Sequence, residues 1–203
     1  MFKLDRNIVV VDLETSHTND MASVIQIGAV KMDQYGDWFK EDSFMVYIKP
    51  YTDQWSEESQ EIHGLTKEFL AERGLDIKEA LMKFNEWLGV QWLPKENKFY
   101  FATWGSGFDM LHLKHAYLIT NLDFPYSYRC YDIASIVRFN LAFMGYNVSK
   151  GCHDCARLLG VDLSCYKAHD ALHDAQVTAS ALKKMINILD KFYSLHPDIR
   201  KIC

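Results

Sequence analysis

Four acidic residues are spread along this 203-residue chain, Asp12, Glu14, Asp109 and Asp174, and each is framed by apolar sequence that draws it toward a core. A carboxylate buried without a partner costs roughly several kcal/mol, so it must be protonated, hydrogen-bonded or bound to a cation. Asp12 and Glu14 close the run Ile8-Val9-Val10-Val11-Asp12-Leu13-Glu14-Thr15, whose β-branched residues, free of Gly and Pro, read as a buried strand. Side chains alternate along a strand, so both carboxylates point to one face. Asp174 falls beside the first turn of a stripe at helical spacing: Ala171, Ala175, Thr178, Ala181, Leu182, Met185, Ile188, Leu189 and Phe192. It therefore faces the packed side. Hard divalent cations prefer carboxylate oxygen, and four such groups could hold them.

The elements that must position these acids follow from the period of the apolar residues. A polar loop over 16–21 separates the first strand from a second at 24–32, and residues 43–49 alternate as a third that ends at Pro50. Short connections between them predict an antiparallel meander. From Ser56 the period becomes helical, with Asp76 placed to cap an amphipathic segment over 77–88. A fourth strand at 98–103 precedes a helix over 108–119, and a fifth at 128–132 precedes helices at 133–144, 151–160 and 171–192. Strands first and strand-helix alternation afterwards imply an α/β fold, a mixed five-stranded sheet covered by helices. No linker-like stretch interrupts the chain, so residues 1–203 are expected to form a single domain.

Composition narrows the function classes. The chain is 49% hydrophobic, enough for a sizeable core, and its 22 basic against 27 acidic residues leave a formal charge of −5. That balance argues against a broad electrostatic nucleic-acid binder, but divalent ions in an acidic pocket would cancel most of it and leave local fields to decide. The apolar runs are short and residues 1–20 lack a secretory layout, so the expectation is an intracellular, cytoplasmic protein that does not engage membranes. Five cysteines, an odd number without dense spacing, read as reduced thiols. Cys152-His153-Asp154-Cys155 has the form of half a zinc site, yet no second ligand pair stands at zinc spacing. Cys152, Cys155 and Leu159 instead share one face of a helix, where cysteine acts as a small core residue.

The order Asp12-Leu13-Glu14-Thr15, then Gly107-Phe108-Asp109, then His169-Asp170-Ala171-Leu172-His173-Asp174-Ala175 resembles the DEDDh 3′-to-5′ exonucleases, the DnaQ-like branch of the RNase H-like superfamily, over roughly residues 7–190. Ile62-His63-Gly64-Leu65-Thr66 is similar to that family's substrate-side loop. Two departures stand out: Thr103-Trp104-Gly105-Ser106 precedes the middle motif where Asn is frequent, and Ser16-His17 stands where a glycine is frequent. Tyr166-Lys167-Ala168-His169-Asp170 also fits the sister pattern in which Asp170 would be the ligand and Tyr166 the catalytic partner. The His169 and Asp174 reading is preferred, because the residues after Asp174 follow the His-bearing group and Asp170 suits a helix N-cap.

The resemblance implies an RNase H-like fold and two divalent cations, Mg²⁺ or Mn²⁺, held by Asp12, Glu14, Asp109 and Asp174. It makes His169 the base that takes a proton from water, a role that an ordinary pKa of about 6.5 suits. The implied partner is a nucleic acid with a free 3′ end, expected to be single-stranded. Leu13 and Thr15 would meet its terminal sugar and His63 a phosphate, with Trp104 and Phe108 beside the acids as further contacts. Thr15 could equally cap its strand, and His63 could simply precede a helix stop at Gly64. A catalytically idle nucleic-acid-binding or scaffolding domain of the same fold is the alternative, against which the full set of acids with His169 argues.

Overall fold

The computed structural model describes residues 3–89, 99–124, 129–146, 151–196 and 198. Its strands are β1 (Ile8–Thr15), β2 (Val24–Met32), β3 (Trp38–Tyr47), β4 (Tyr100–Thr103) and β5 (Cys130–Asp132). The helices are α1 (Glu57–His63), α2 (Lys67–Arg73), α3 (Ile77–Leu88), α4 (Ser106–Ile119), α5 (Ile133–Phe143), α6 (Cys152–Leu158) and α7 (Ala171–Leu195). The five strands form one sheet in the order β3-β2-β1-β4-β5. β1 to β3 pair antiparallel, whereas β4 lies parallel to both β1 and β5, so the sheet is mixed as expected.

β1 occupies the middle of the sheet and is covered on both faces, which is why its sequence is nearly continuously apolar rather than alternating. Ile8 and Val10 pack with Val30 and Ala102 against α5, α6 and α7. Val9, Val11 and Leu13 face the other way, with Ile27 and Phe101, against α3 and α4. This alternation places Asp12 and Glu14 on the α7 side, and α7 makes its main contacts with β2 and β1.

Several boundaries differ from expectation. β3 begins earlier, at Trp38, and ends at Tyr47; Ile48 beyond it still donates to Ile25 O of β2 at 2.9 Å and bridges Leu75 on its other side. α4 starts at Ser106, so Asp109 lies within its first turn. Lys98 and Tyr128, expected in the fourth and fifth strands, lie outside the described residues. Asp76 stands at the N-cap of α3 but makes no capping bond; its carboxylate faces Lys49 Nζ at 3.9 Å. The apolar stripe of α7 outruns the sheet, leaving Ile188 and Phe192 exposed along a groove shared with Phe139 and Phe143 of α5. Among the described residues no helix is long and apolar enough to cross a membrane, and Cys130, Cys152, Cys155 and Cys165 are free thiols.

Candidate metal centre

The acids meet where the C-terminal end of β1 passes the first turns of α4 and α7. Asp12 and Glu14 stand two residues apart on one face of β1. Asp109 is brought in from α4 on the opposite side of the sheet, where its carboxylate accepts from the backbone N–H of Leu13 and from its own. Asp174 enters from the first turn of α7, near the positive end of the helix dipole. Glu14, Asp174 and His169 present ligand atoms that all lie within 4.8 Å of one another.

Two residues that sequence reasoning passed over fix α7 against the sheet. A Cβ on Gly28 would lie 2.1 Å from the carbonyl carbon of Ala171 and from the amide nitrogen of Leu172, so the helix start rests where β2 has no side chain. Gly28 pairs with Asp12 in the ladder, so this close approach lies beside the acids. Buried Gln26 then grips the helix entrance: its Oε1 accepts from Ala171 N at 3.2 Å, and its Nε2 donates to Asp170 Oδ2 at 3.4 Å. The only signal for this pair was polar Gln26 and side-chain-free Gly28 inside an apolar strand, a pattern that marks close approach by another element.

Crowding has an electrostatic consequence. Glu14, 8% exposed, is pushed up from 4.5 to about 8, mainly by burial and then by Asp174, Asp170 and Asp109. Asp109 is raised to about 7 by burial, against the pull of its backbone hydrogen bonds. Asp12 is driven well above the carboxylate range by burial and by Asp109, Asp174, Glu14 and Asp170. At neutral pH such a cluster must retain protons or acquire cations. An all-oxygen, multiply anionic donor set fits a hard divalent ion.

Around this centre, His169 sits in the loop entering α7 with φ 59°, a left-handed conformation that costs a residue with a Cβ about 1 kcal/mol. Its N–H donates to Asp174 Oδ2 at 3.0 Å, and its exposed ring stays at the mouth of the cleft. Asp170 caps α7 by accepting from His173 N at 3.1 Å. Tyr166 rests against His173, and its hydroxyl hydrogen-bonds Ser180, which leaves it committed to the helix surface.

The predicted substrate contacts are placed unevenly. Leu13 is buried beneath the centre, and Thr15 Oγ1 donates to the carbonyl of His17 at 2.8 Å, closing the loop after β1. That loop is clamped further by Ser16 Oγ donating to Gln54 O and by the hydrogen bond between His112 Nε2 and Asn19 O. His63 ends α1 before left-handed Gly64; its Nδ1 accepts from Leu65 N, and its Nε2 is buried without a partner. Burial, His169 and Lys167 lower His63 to about 4, so it is neutral. Phe108 is exposed beside Asp109 and packs on His112. Trp104 is half-buried against the core layer, with the Arg138 guanidinium over its ring at 5.7 Å.

Cys155 is fully buried and Cys152 shares a hydrogen bond with Thr178 Oγ1, as the helical-face reading expects. Among the described residues, neither belongs to a cluster of metal-ligating groups. His153, read only as part of that run, instead contacts Asp174.

The site is thus a mixed sheet with helices on both faces and acids gathered at the end of its central strand. The chain belongs to the exonuclease family RNase_T, whose model matches residues 9–182. Among curated proteins it is 26% identical over 191 residues to the 3′-5′ DNA exonuclease Cap18 of Escherichia coli, covering 93% of this chain and 97% of that protein. Among solved structures it is similar to the E. coli ExoI–ssDNA complex in its zinc-bound form, with TM-score 0.76 and 18% identity over 94% of this chain and 42% of that one. It is also similar to the nuclease domain of 3′hExo, a DEDDh family member bound to rAMP, with TM-score 0.71 and 18% identity over 89% of this chain and 92% of that one.

Proposed function

We propose that this chain, acting as one exonuclease domain in the cytoplasm, removes nucleoside monophosphates one at a time from the 3′ end of a single-stranded nucleic acid. The observation that carries the reading is that Glu14, His169 and Asp174 bring ligand atoms within 4.8 Å of one another, while burial raises Asp12, Glu14 and Asp109 and repulsion from neighbouring acids adds to the shifts of Asp12 and Glu14. Such an arrangement opposes folding unless cations neutralise it, so it is a binding site rather than a packing device.

Asp12, Glu14 and Asp174 would hold one Mg²⁺ or Mn²⁺, with Asp12 shared toward a second and Asp109 completing the set. Bound there, such ions lower the pKa of water and relieve the charge that develops on the departing 3′ oxygen. The chain's own contribution begins with His169, whose ring stands at the mouth of the cleft and accepts the proton of the attacking water. The backbone hydrogen bond from His169 to Asp174 ties that base to the acid cluster, so proton acceptor and charge site move together. Leu13 and Thr15 border the position of the terminal sugar. The resemblance puts His63 near a phosphate, and its Nε2, buried without a partner, is the ring atom left to donate. Phe108, exposed next to Asp109, is placed to pack on the terminal base.

The named relatives act on or bind DNA in two cases and an RNA mononucleotide in the third, which supports a nucleic-acid substrate of either sugar. The test is a panel of matched single-stranded and duplex DNA and RNA oligonucleotides, each with a free or phosphate-blocked 3′ end, in Mg²⁺, Mn²⁺ or EDTA. Metal-dependent release of mononucleotides from free 3′ ends supports the reading. Binding without cleavage in every metal would instead favour the idle-domain alternative, and cleavage of blocked ends would contradict 3′ polarity.

A further inference from the structure

Asp174 has both carboxylate oxygens engaged by the protein itself. Oδ1 accepts from His153 Nε2 at 2.6 Å, and Oδ2 accepts from the His169 N–H at 3.0 Å. With Asp174 ionised, as a metal-binding carboxylate is, it has no proton to give, so Nε2 of His153 is the donor and each oxygen keeps lone pairs for a further partner. The pair is sheltered, with the His153 side chain 21% and the Asp174 side chain 15% exposed. His153 is not a free surface ring. It rides on α6, whose Cys155 and Ala156 are fully buried, and its neighbour Cys152 meets Thr178 at 3.2 Å. Successive residues of α6 thus touch residues one turn apart on α7, Cys152 on Thr178 and His153 on Asp174, which sets both register and rotation.

We infer that His153 is a positioning residue for the metal centre, holding Asp174 Oδ1 so that the carboxylate is presented to the cation in one orientation. The inference rests on the reading of Asp174 as a metal ligand. Carboxylates that bind metals depend on such outer hydrogen bonds, and removing one costs about 10- to 100-fold in metal affinity. A donor at His153 also competes for Asp174 when no ion is bound, so the opposite effect, tighter binding on its removal, is a real alternative outcome.

The experiment is a Mn²⁺ titration of the full chain followed by electron paramagnetic resonance, which counts free ion without requiring turnover. Wild type, His153→Leu, His153→Gln and Asp174→Asn are compared, with far-UV circular dichroism to establish folding. His153→Leu is expected to weaken the Asp174-dependent site by about 10- to 100-fold, while His153→Gln, whose amide reaches about as far as Nε2, recovers most of the affinity. In turnover assays, raising Mn²⁺ should restore kcat of His153→Leu without changing KM for the oligonucleotide. Should His153→Leu fail to fold, His153→Asn, about one bond too short to reach Asp174, replaces it. Wild-type or tighter Mn²⁺ binding in the variant lacking the donor, alongside loss in Asp174→Asn, overturns the role of His153 alone. Wild-type binding in Asp174→Asn overturns the metal-site reading itself.

Discussion

Removing divalent cations should make this protein lose stability as pH rises, and Glu14 supplies a measurable share of the difference. Its folded-state pKa of about 8 lies above the ordinary 4.5. The folded chain therefore holds the proton more tightly than the unfolded chain does. Its penalty is absent below about pH 4.5, grows as pH rises, and is complete above about 8. At about 1.4 kcal/mol per pH unit, the displacement sets a ceiling near 5 kcal/mol. Water entering the cleft and relaxation of the loop before α7 reduce this to about 2–3 kcal/mol, which for a domain of this size is about 5–10 °C in Tm. Thermal melts in EDTA from pH 5 to 8.5 would measure it, comparing wild type with Glu14→Gln. Wild type should fall more steeply, and the two curves should separate as pH increases. Mg²⁺ at about a hundred times its Kd should return about 2.7 kcal/mol to wild type and little to the variant. Parallel curves in EDTA, with the same response to Mg²⁺, would refute the claim that Glu14 is forced into an acidic cluster.

His169→Ala should lower turnover by about 10²- to 10⁴-fold while leaving Mn²⁺ affinity near wild type, as kinetics and titration of the same sample would show. Asp170→Asn should keep most activity because asparagine also caps helices, whereas Asp174→Asn should lose about 100-fold or more; the reverse order would make Asp170 the ligand. Gly28→Ala places a methyl 2.1 Å from backbone atoms of α7, so urea unfolding should register a loss of about 3 kcal/mol or more, with turnover impaired even in the folded fraction.

The continuous β-branched run of β1 and the helical stripe of α7 are strong enough to reveal the sheet and its main helix, because both bury their apolar residues on long, regular surfaces. Asp12 and Glu14 on one face, and Asp174 in a first helical turn, follow from those patterns alone. Asp109 does not: it reaches the centre from the α4 side, and the sequence offered only its apolar frame and the family resemblance. Gln26 and Gly28 left only a weak signal, a polar and a side-chain-free residue inside an apolar strand, and the contact of His153 with α7 left none. Ile188 and Phe192 mark the opposite failure. Their helical spacing is correct, but the sheet ends before they reach it.

The most direct measurement is anomalous diffraction from crystals equilibrated with Mn²⁺. Two peaks about 3.5–4 Å apart are expected, bounded by Asp12, Glu14, Asp109 and Asp174. Saturating Mn²⁺ that leaves this position empty, or that appears only on other acids, would contradict the account.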